Sequence, residues 1–128
     1  MKFYEKEVNR IKKSCFSNRR QVETVRRLRR YIELNYGEEL CLESMSRASY
    51  VSKFHLLRLF KKLYGRTPNQ YLTEIRMEKA KEFLAKGMSA TDACFAVGFD
   101  SLGSFGVLFK RKTGFSPAQY RKSNFRED

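Results

Sequence analysis

Phe60-Lys61, followed by Gly65, Thr67, Pro68, Gln70 and Tyr71, recurs as Phe109-Lys110, followed by Gly114, Ser116, Pro117, Gln119 and Tyr120, at a constant offset of 49 residues. The same register extends upstream, pairing Ser52 with Ser101, Leu56 with Phe105, Leu59 with Leu108, Tyr50 with Phe99 and Met45 with Cys94. One supersecondary unit written twice into 128 residues leaves room for two small subdomains and a connection. It leaves none for a sizeable ligand-binding domain.

The repeated unit is helical. Strand signals are nearly absent: the chain holds 2 Pro and 7 Gly, and apolar residues recur at helical spacing throughout. The fold class is therefore all-α, with about seven helices. Val22, Val25, Leu28, Ile32 and Tyr36, at steps of 3 and 4, predict one amphipathic helix ending near Gly37. A shorter helix over 40–47 turns Leu42 and Met45 inward, and Ser52 then caps a helix that Gly65 stops after Tyr64. Thr67 and Pro68 open a long helix reaching residue 86, with an apolar stripe of Tyr71, Leu72, Ile75, Ala80, Phe83 and Leu84. Helices over 91–97 and 101–113 and a short one opening at Ser116-Pro117 complete the chain. The expected organisation is a basic extension over 1–20, a first helix-turn-helix subdomain over 21–67, a linker helix over 68–87, a second subdomain over 88–122 and a tail over 123–128.

Each copy reads as a short helix, a tight turn and a second helix, the arrangement that lays its second helix in a DNA major groove. In the first copy Leu56, Leu59, Phe60 and Leu63 form the inward face, which leaves Phe54, Leu57, Arg58 and Lys61 on the other side. Against base edges that mixture works: apolar groups meet thymine methyls, and Arg58 can donate two hydrogen bonds to guanine. Ser52, Lys53, His55, Lys61 and Lys62 lie where phosphates would set the register. The other reading packs Phe54 and Leu57 on the first helix of the domain and leaves the cations as a solvated face. In the second copy the outward face is Gly103, Gly106, Val107 and Lys110. Glycine within a helix costs roughly 1 kcal/mol relative to alanine, so two on one face suggest a backbone that closely approaches another surface. Such a helix docks by shape, with Ser101, Ser104, Lys110 and Arg111 reaching phosphates. A linker of 19 residues at about 1.5 Å each spans roughly 28 Å, close to the roughly 34 Å between successive major grooves on one face of DNA. One chain can then read two grooves without dimerising.

Charge supports a polyanionic partner. The chain has 27 Lys and Arg against 14 Asp and Glu, a net charge of +13, and its 11 Phe and 7 Tyr supply a core, so the charge sits on a folded body. The excess is uneven: net +8 over 1–30, +2 over 31–67, −1 over 68–100 and +4 over 101–128. Nucleic acid leads and an anionic membrane surface follows; a mean hydropathy of −0.61 and no apolar run near the roughly 20 residues of a span argue against the membrane. The start, MKFYEKEV, has no apolar core of a signal peptide, and the scattered Cys15, Cys41 and Cys94 fit a reducing cytoplasm, with Cys41 and Cys94 read as core residues. The sole histidine, His55, has no partner at catalytic or metal-ligand spacing, and no phosphate loop is present, so no catalytic residue, metal or cofactor is expected.

The chain resembles the DNA-binding domain of the AraC/XylS family of bacterial transcription regulators. The matching residues are Tyr50-Val51-Ser52-Lys53-Phe54-His55-Leu56 with Phe60-Lys61-Lys62, Tyr71-Leu72 to Arg76 with Ala80-Lys81, Val97-Gly98-Phe99-Asp100-Ser101, and the closing Phe109-Lys110, Gly114, Ser116-Pro117 and Tyr120-Arg121. The resemblance covers about residues 22–122 and implies seven helices, two helix-turn-helix units on a linker helix, and control of transcription by promoter binding. It places the base contacts on Phe54, Leu57 and Arg58 in the first unit and on Leu102, Gly103, Gly106 and Val107 in the second. Many members carry polar residues or arginine at the positions of Gly106 and Val107, so discrimination is assigned mainly to the first unit. Double-stranded DNA and RNA polymerase are the implied partners, in the cytoplasm at the nucleoid.

The chain looks like the small stand-alone members, although a fragment of a longer regulator has the same pattern. It is expected to bind DNA as a monomer. Tyr4, Val8, Ile11 and Cys15 form one helical stripe in the extension, which would pack on the domain, pair two subunits through residues 1–20, or continue a linker helix. An architectural or weakly specific nucleic-acid-binding protein is the alternative function, separated by its specificity ratio at fixed salt. RNA binding comes third, because the aromatic-rich strands that stack single-stranded bases are missing.

Overall fold

A computed structural model describes residues 19–125, and among them every regular element is a helix. These are α1 (19–34), α2 (Leu42–Ser49), α3 (Lys53–Tyr64), α4 (Pro68–Ala85), α5 (Ala90–Ala96), α6 (Leu102–Thr113) and α7 (Pro117–Asn124). The stripe of Tyr4, Val8, Ile11 and Cys15 expected in the extension lies outside the described residues. The chain divides into two units: Met1–Tyr31 with Cys41–Pro68, and Ile32–Leu40 with Asn69–Asp128.

In the first unit Val25, Leu28, Leu56 and Phe60 are completely buried and Leu42 nearly so. Burying each such side chain contributes about 1.5–3 kcal/mol before entropy is counted. Thr24, also buried, satisfies its hydroxyl on the Arg20 carbonyl at 2.9 Å. The face of α3 differs from expectation at one position: Leu63 is 46% exposed. Tyr64 closes the unit instead, its ring 4.8 Å from that of Phe60 and under the Arg29 guanidinium at 5.1 Å. Cys41 also departs from the expected core placement. It is exposed at the N-cap position of α2, its Sγ 3.0 Å from Ser44 Oγ, because the chain turns inward only at Leu42.

The second unit has the larger core. Met77, Ala80 and Leu84 of α4, Ala93 and Cys94 of α5, Val97, and Phe105 and Phe109 of α6 form one buried cluster. The helix read as a linker is thus a wall of this core, and Met77 joins the stripe where the periodicity omitted it. Aromatic rings continue from Phe99 to Phe105 (5.3 Å), Phe109 (5.6 Å) and Tyr120 (5.4 Å, edge-on). Arg76 fastens the loop after α1 to α4, donating from Nε to the Tyr36 carbonyl (2.7 Å) and from Nη2 to the Glu38 carbonyl (2.9 Å). Its guanidinium also lies 5.6 Å from the centre of the Phe99 ring. Burial lowers the Arg76 pKa, yet a guanidinium remains charged.

Caps set the boundaries. Ser52, Ser89, Ser101 and Ser116 each accept the N–H three residues on, and Ser116 with Gln119 forms a reciprocal capping box. Ser89 caps α5, which starts at Ala90, one residue before the Thr91 start that periodicity suggests. Arg121 then ties α7 to the Gly87 carbonyl at 2.9 Å.

The turns of the two copies are one residue out of step with the rest of the repeat. In the first, Tyr50 is left-handed (φ 56), and the N–H groups of Tyr50 and Val51 donate back to Arg47 and Ser46. In the second, Gly98 is left-handed (φ 97), and Gly98 and Phe99 donate back to Phe95 and Cys94. The structural equivalent of Tyr50 is therefore Gly98, at offset 48, and Asp100 is the extra residue that restores 49 at Ser101. The shared aromatic character of Tyr50 and Phe99 hid this step.

Candidate nucleic-acid interface

Two helices carry the residues singled out by sequence, and each begins on a serine cap. At α3, Ser52 Oγ accepts the His55 N–H at 3.1 Å, which leaves its own proton to donate outward. At α6, Ser101 Oγ accepts the Ser104 N–H at 3.3 Å in the same way. A hydroxyl so placed can satisfy the helix end and a phosphate oxygen together.

On α3 the structure leaves Phe54 75% exposed, and Lys53, Arg58, Lys61 and Lys62 are exposed as well. Leu57 is half-buried, so it offers only part of its surface. His55 is half-buried too, and its Nε2 lies 3.0 Å from the Gln21 amide nitrogen of α1. On α6, Val107 is 62% and Leu102 43% exposed, and Gly103, Ser104, Lys110, Arg111 and Lys112 are exposed beside a half-buried Gly106. Gly103, Ser104, Val107, Leu108 and Arg111 line a shallow concavity.

Neither helix contains a carboxylate. Among the described residues the lysines and arginines of α3 and α6 form no ion pair, whereas on α4 Lys79 meets Glu82 at 3.5 Å and Lys81 meets Glu78 at 2.9 Å. The glycines of α6 are unexplained by the fold itself. A Cβ built at Gly106 would meet nothing within 4 Å, and one at Gly103 only Ser101 Oγ at 3.9 Å.

One exposed residue escaped the sequence reading as a site: Tyr50, in the turn before α3, is 94% exposed. Its signal was a large aromatic residue at a turn position that the second copy fills with glycine. Among the described residues no cluster of His, Cys, Asp or Glu could hold a metal, and no helix is long and apolar enough to cross a membrane. Burial, with the charge of Asp100, pushes the Cys94 thiol up, which keeps it protonated and a poor nucleophile.

Residues 45–123 match the helix-turn-helix domain family. The chain is 36% identical over 99 residues to the bifunctional transcriptional activator/DNA repair enzyme AdaA of Bacillus subtilis, covering 77% of this chain and 47% of that protein. It spans about half the length, or less, of the first curated relatives it matches. The C-terminal domain of AraT, a response regulator from Geobacillus stearothermophilus, superposes with a TM-score of 0.75 at 36% identity, over 82% of this chain and 88% of that one. The DNA-binding domain of AdpA, a global transcriptional factor in complex with a target DNA, superposes with a TM-score of 0.63 at 27% identity, over 80% and 90%.

Proposed function

This chain belongs to the AraC-type helix-turn-helix family, and from that premise we propose that it is a sequence-specific regulator of transcription that sets α3 and α6 into successive major grooves of a promoter. The observation that carries the reading is the composition of α3: exposed Phe54 and Arg58 among cations that form no ion pair with any described residue, with no carboxylate on the helix to repel phosphate. Phe54 and the outward part of Leu57 meet thymine methyls, Arg58 reads a guanine edge, and Lys53, Lys61 and Lys62 hold the register on phosphates. His55 and Ser52 join that backbone set. In α6, Leu102, Gly103, Gly106 and Val107 face bases through backbone and small side chains, while Ser101, Ser104, Lys110 and Arg111 take phosphates.

On this reading the protein acts on chromosomal DNA in the cytoplasm, binds as a monomer, works beside RNA polymerase and performs no catalysis of its own. The test is selection of duplexes from a random pool by the full chain, followed by binding to the recovered and to scrambled duplexes at one salt concentration. A preference of about 10³ or more for the recovered duplex is expected of a regulator. Failure to enrich any motif refutes the reading.

A further inference from the structure

The two turns of the repeat solve one backbone problem with different residues. Both need a left-handed residue between their helices, a conformation that L side chains resist. The second copy uses Gly98, which its surroundings also require: a Cβ there would stand 2.8 Å from the Gly37 carbonyl oxygen. The first copy uses Tyr50 at φ 56, the only non-glycine residue at positive φ among the described residues. Its side chain, 94% exposed, makes no hydrogen bond or ring contact among them. Nothing in the fold explains a tyrosine where the duplicate shows that glycine serves.

Position supplies the missing reason. Tyr50 stands two residues before Ser52, the cap of α3, and the start of a recognition helix is the part that enters the groove, so the turn before it faces the phosphate wall. Phe54, the neighbouring exposed aromatic, is the second residue of α3. We propose that Tyr50 is a DNA-backbone contact of the first unit, its hydroxyl donating to a phosphate oxygen and its ring covering the adjoining deoxyribose. A tyrosine suits this task because it reaches far with little rotamer freedom to lose. The proposal rests on the DNA-binding reading above and adds a contact that anchors α3 without reading sequence.

The test compares the full chain with Tyr50→Phe and Tyr50→Gly on the duplex recovered by selection and on a scrambled duplex. Glycine takes the left-handed conformation freely, so Tyr50→Gly should unfold at or above the wild-type temperature, which removes misfolding as an explanation. Its affinity should fall by more than about tenfold on both duplexes, and that of Tyr50→Phe by about tenfold, as loss of one hydrogen bond to a charged group predicts. The dependence of affinity on salt should not change, because a neutral hydroxyl releases no counterion. Binding by Tyr50→Gly within twofold of wild type overturns the proposal. Wild-type affinity in Tyr50→Phe, or a loss confined to the recovered duplex, overturns the phosphate assignment. If the wild type binds both duplexes equally, the regulator reading fails, while the ratio of variant to wild type on either duplex still decides the role of Tyr50.

Discussion

Alanine at Gly103 and Gly106 should make the protein more stable and worse at its task. Both glycines lie inside α6, at ordinary helical φ, with open space where a Cβ would stand. Each Gly→Ala change therefore removes backbone freedom from the unfolded chain and adds no clash, a gain of up to about 1 kcal/mol per site. The double variant should gain about 1–2 kcal/mol, and for a unit of this size its unfolding temperature should rise by roughly 4–8 °C per kcal/mol. Gly114→Ala is the control, since a Cβ there also meets nothing but φ is 84; it should lose stability where the helical sites gain it. On DNA the prediction reverses, because two methyl groups on the face proposed to press against bases should lower affinity for the recovered duplex. Calorimetric unfolding and duplex titration of the same preparations measure both effects. A stabilised double variant that binds as tightly as wild type would refute the assignment of this face to DNA.

Three further outcomes follow from named contacts. Arg58→Ala should relax preference at one base pair and cost about 1–3 kcal/mol there, whereas Lys61→Ala should weaken all sequences alike and reduce the salt slope by about one; selection with each variant and salt titration separate them. Gly98→Ala forces a Cβ to 2.8 Å from the Gly37 carbonyl oxygen at φ 97, so denaturant unfolding should show a loss of at least about 2 kcal/mol. The raised Cys94 thiol favours the neutral form in the folded state, so its contribution is intact below the ordinary thiol pKa of about 8.5 and is lost as pH rises through the folded value. Stability should accordingly fall on the alkaline side less steeply in Cys94→Ala than in wild type, and thiol labelling at neutral pH should modify Cys41 but spare Cys94 until the protein unfolds.

The helices were legible because their ends are written in residues that act locally: serine hydroxyls at Ser52, Ser101 and Ser116, and glycines at Gly65 and Gly114. Spacing identified Leu56 and Phe60 as core, and the repeat pairs them with Phe105 and Phe109, which are buried as well. What spacing could not show depends on contacts distant in sequence. Leu63 and Tyr64 fit the inward face about equally well, and only Arg29 and Phe60 decide for the tyrosine. Cys41 is apolar enough for a core, but the path of the chain before α2 leaves it outside. The ties from Arg76 to the carbonyls of residues 36 and 38 bridge some 40 positions and have no local signature. On the outward faces of α3 and α6 the exposure of Phe54 and Val107 followed from periodicity, whereas the role proposed for Tyr50 needed the left-handed backbone that only coordinates reveal.

Duplication gave both units the same helix-turn-helix and the same caps, yet their resources differ. The second unit holds the larger aromatic core, a glycine turn packed against its own loop, and an α6 with two glycines on its outer face. The first has the smaller core, a turn that projects a tyrosine, and a recognition helix with a cation and an aromatic residue turned outward. Hydrogen bonds to base edges come from side chains, and α6 has none suited to that on Gly103, Gly106 or Val107. On the proposed function the second unit therefore contributes affinity through phosphates and shape, and the first contributes most of the discrimination. A motif recovered by selection should be lopsided in consequence: sharply defined bases beneath α3, and beneath α6 a tolerance for substitutions that preserve groove shape.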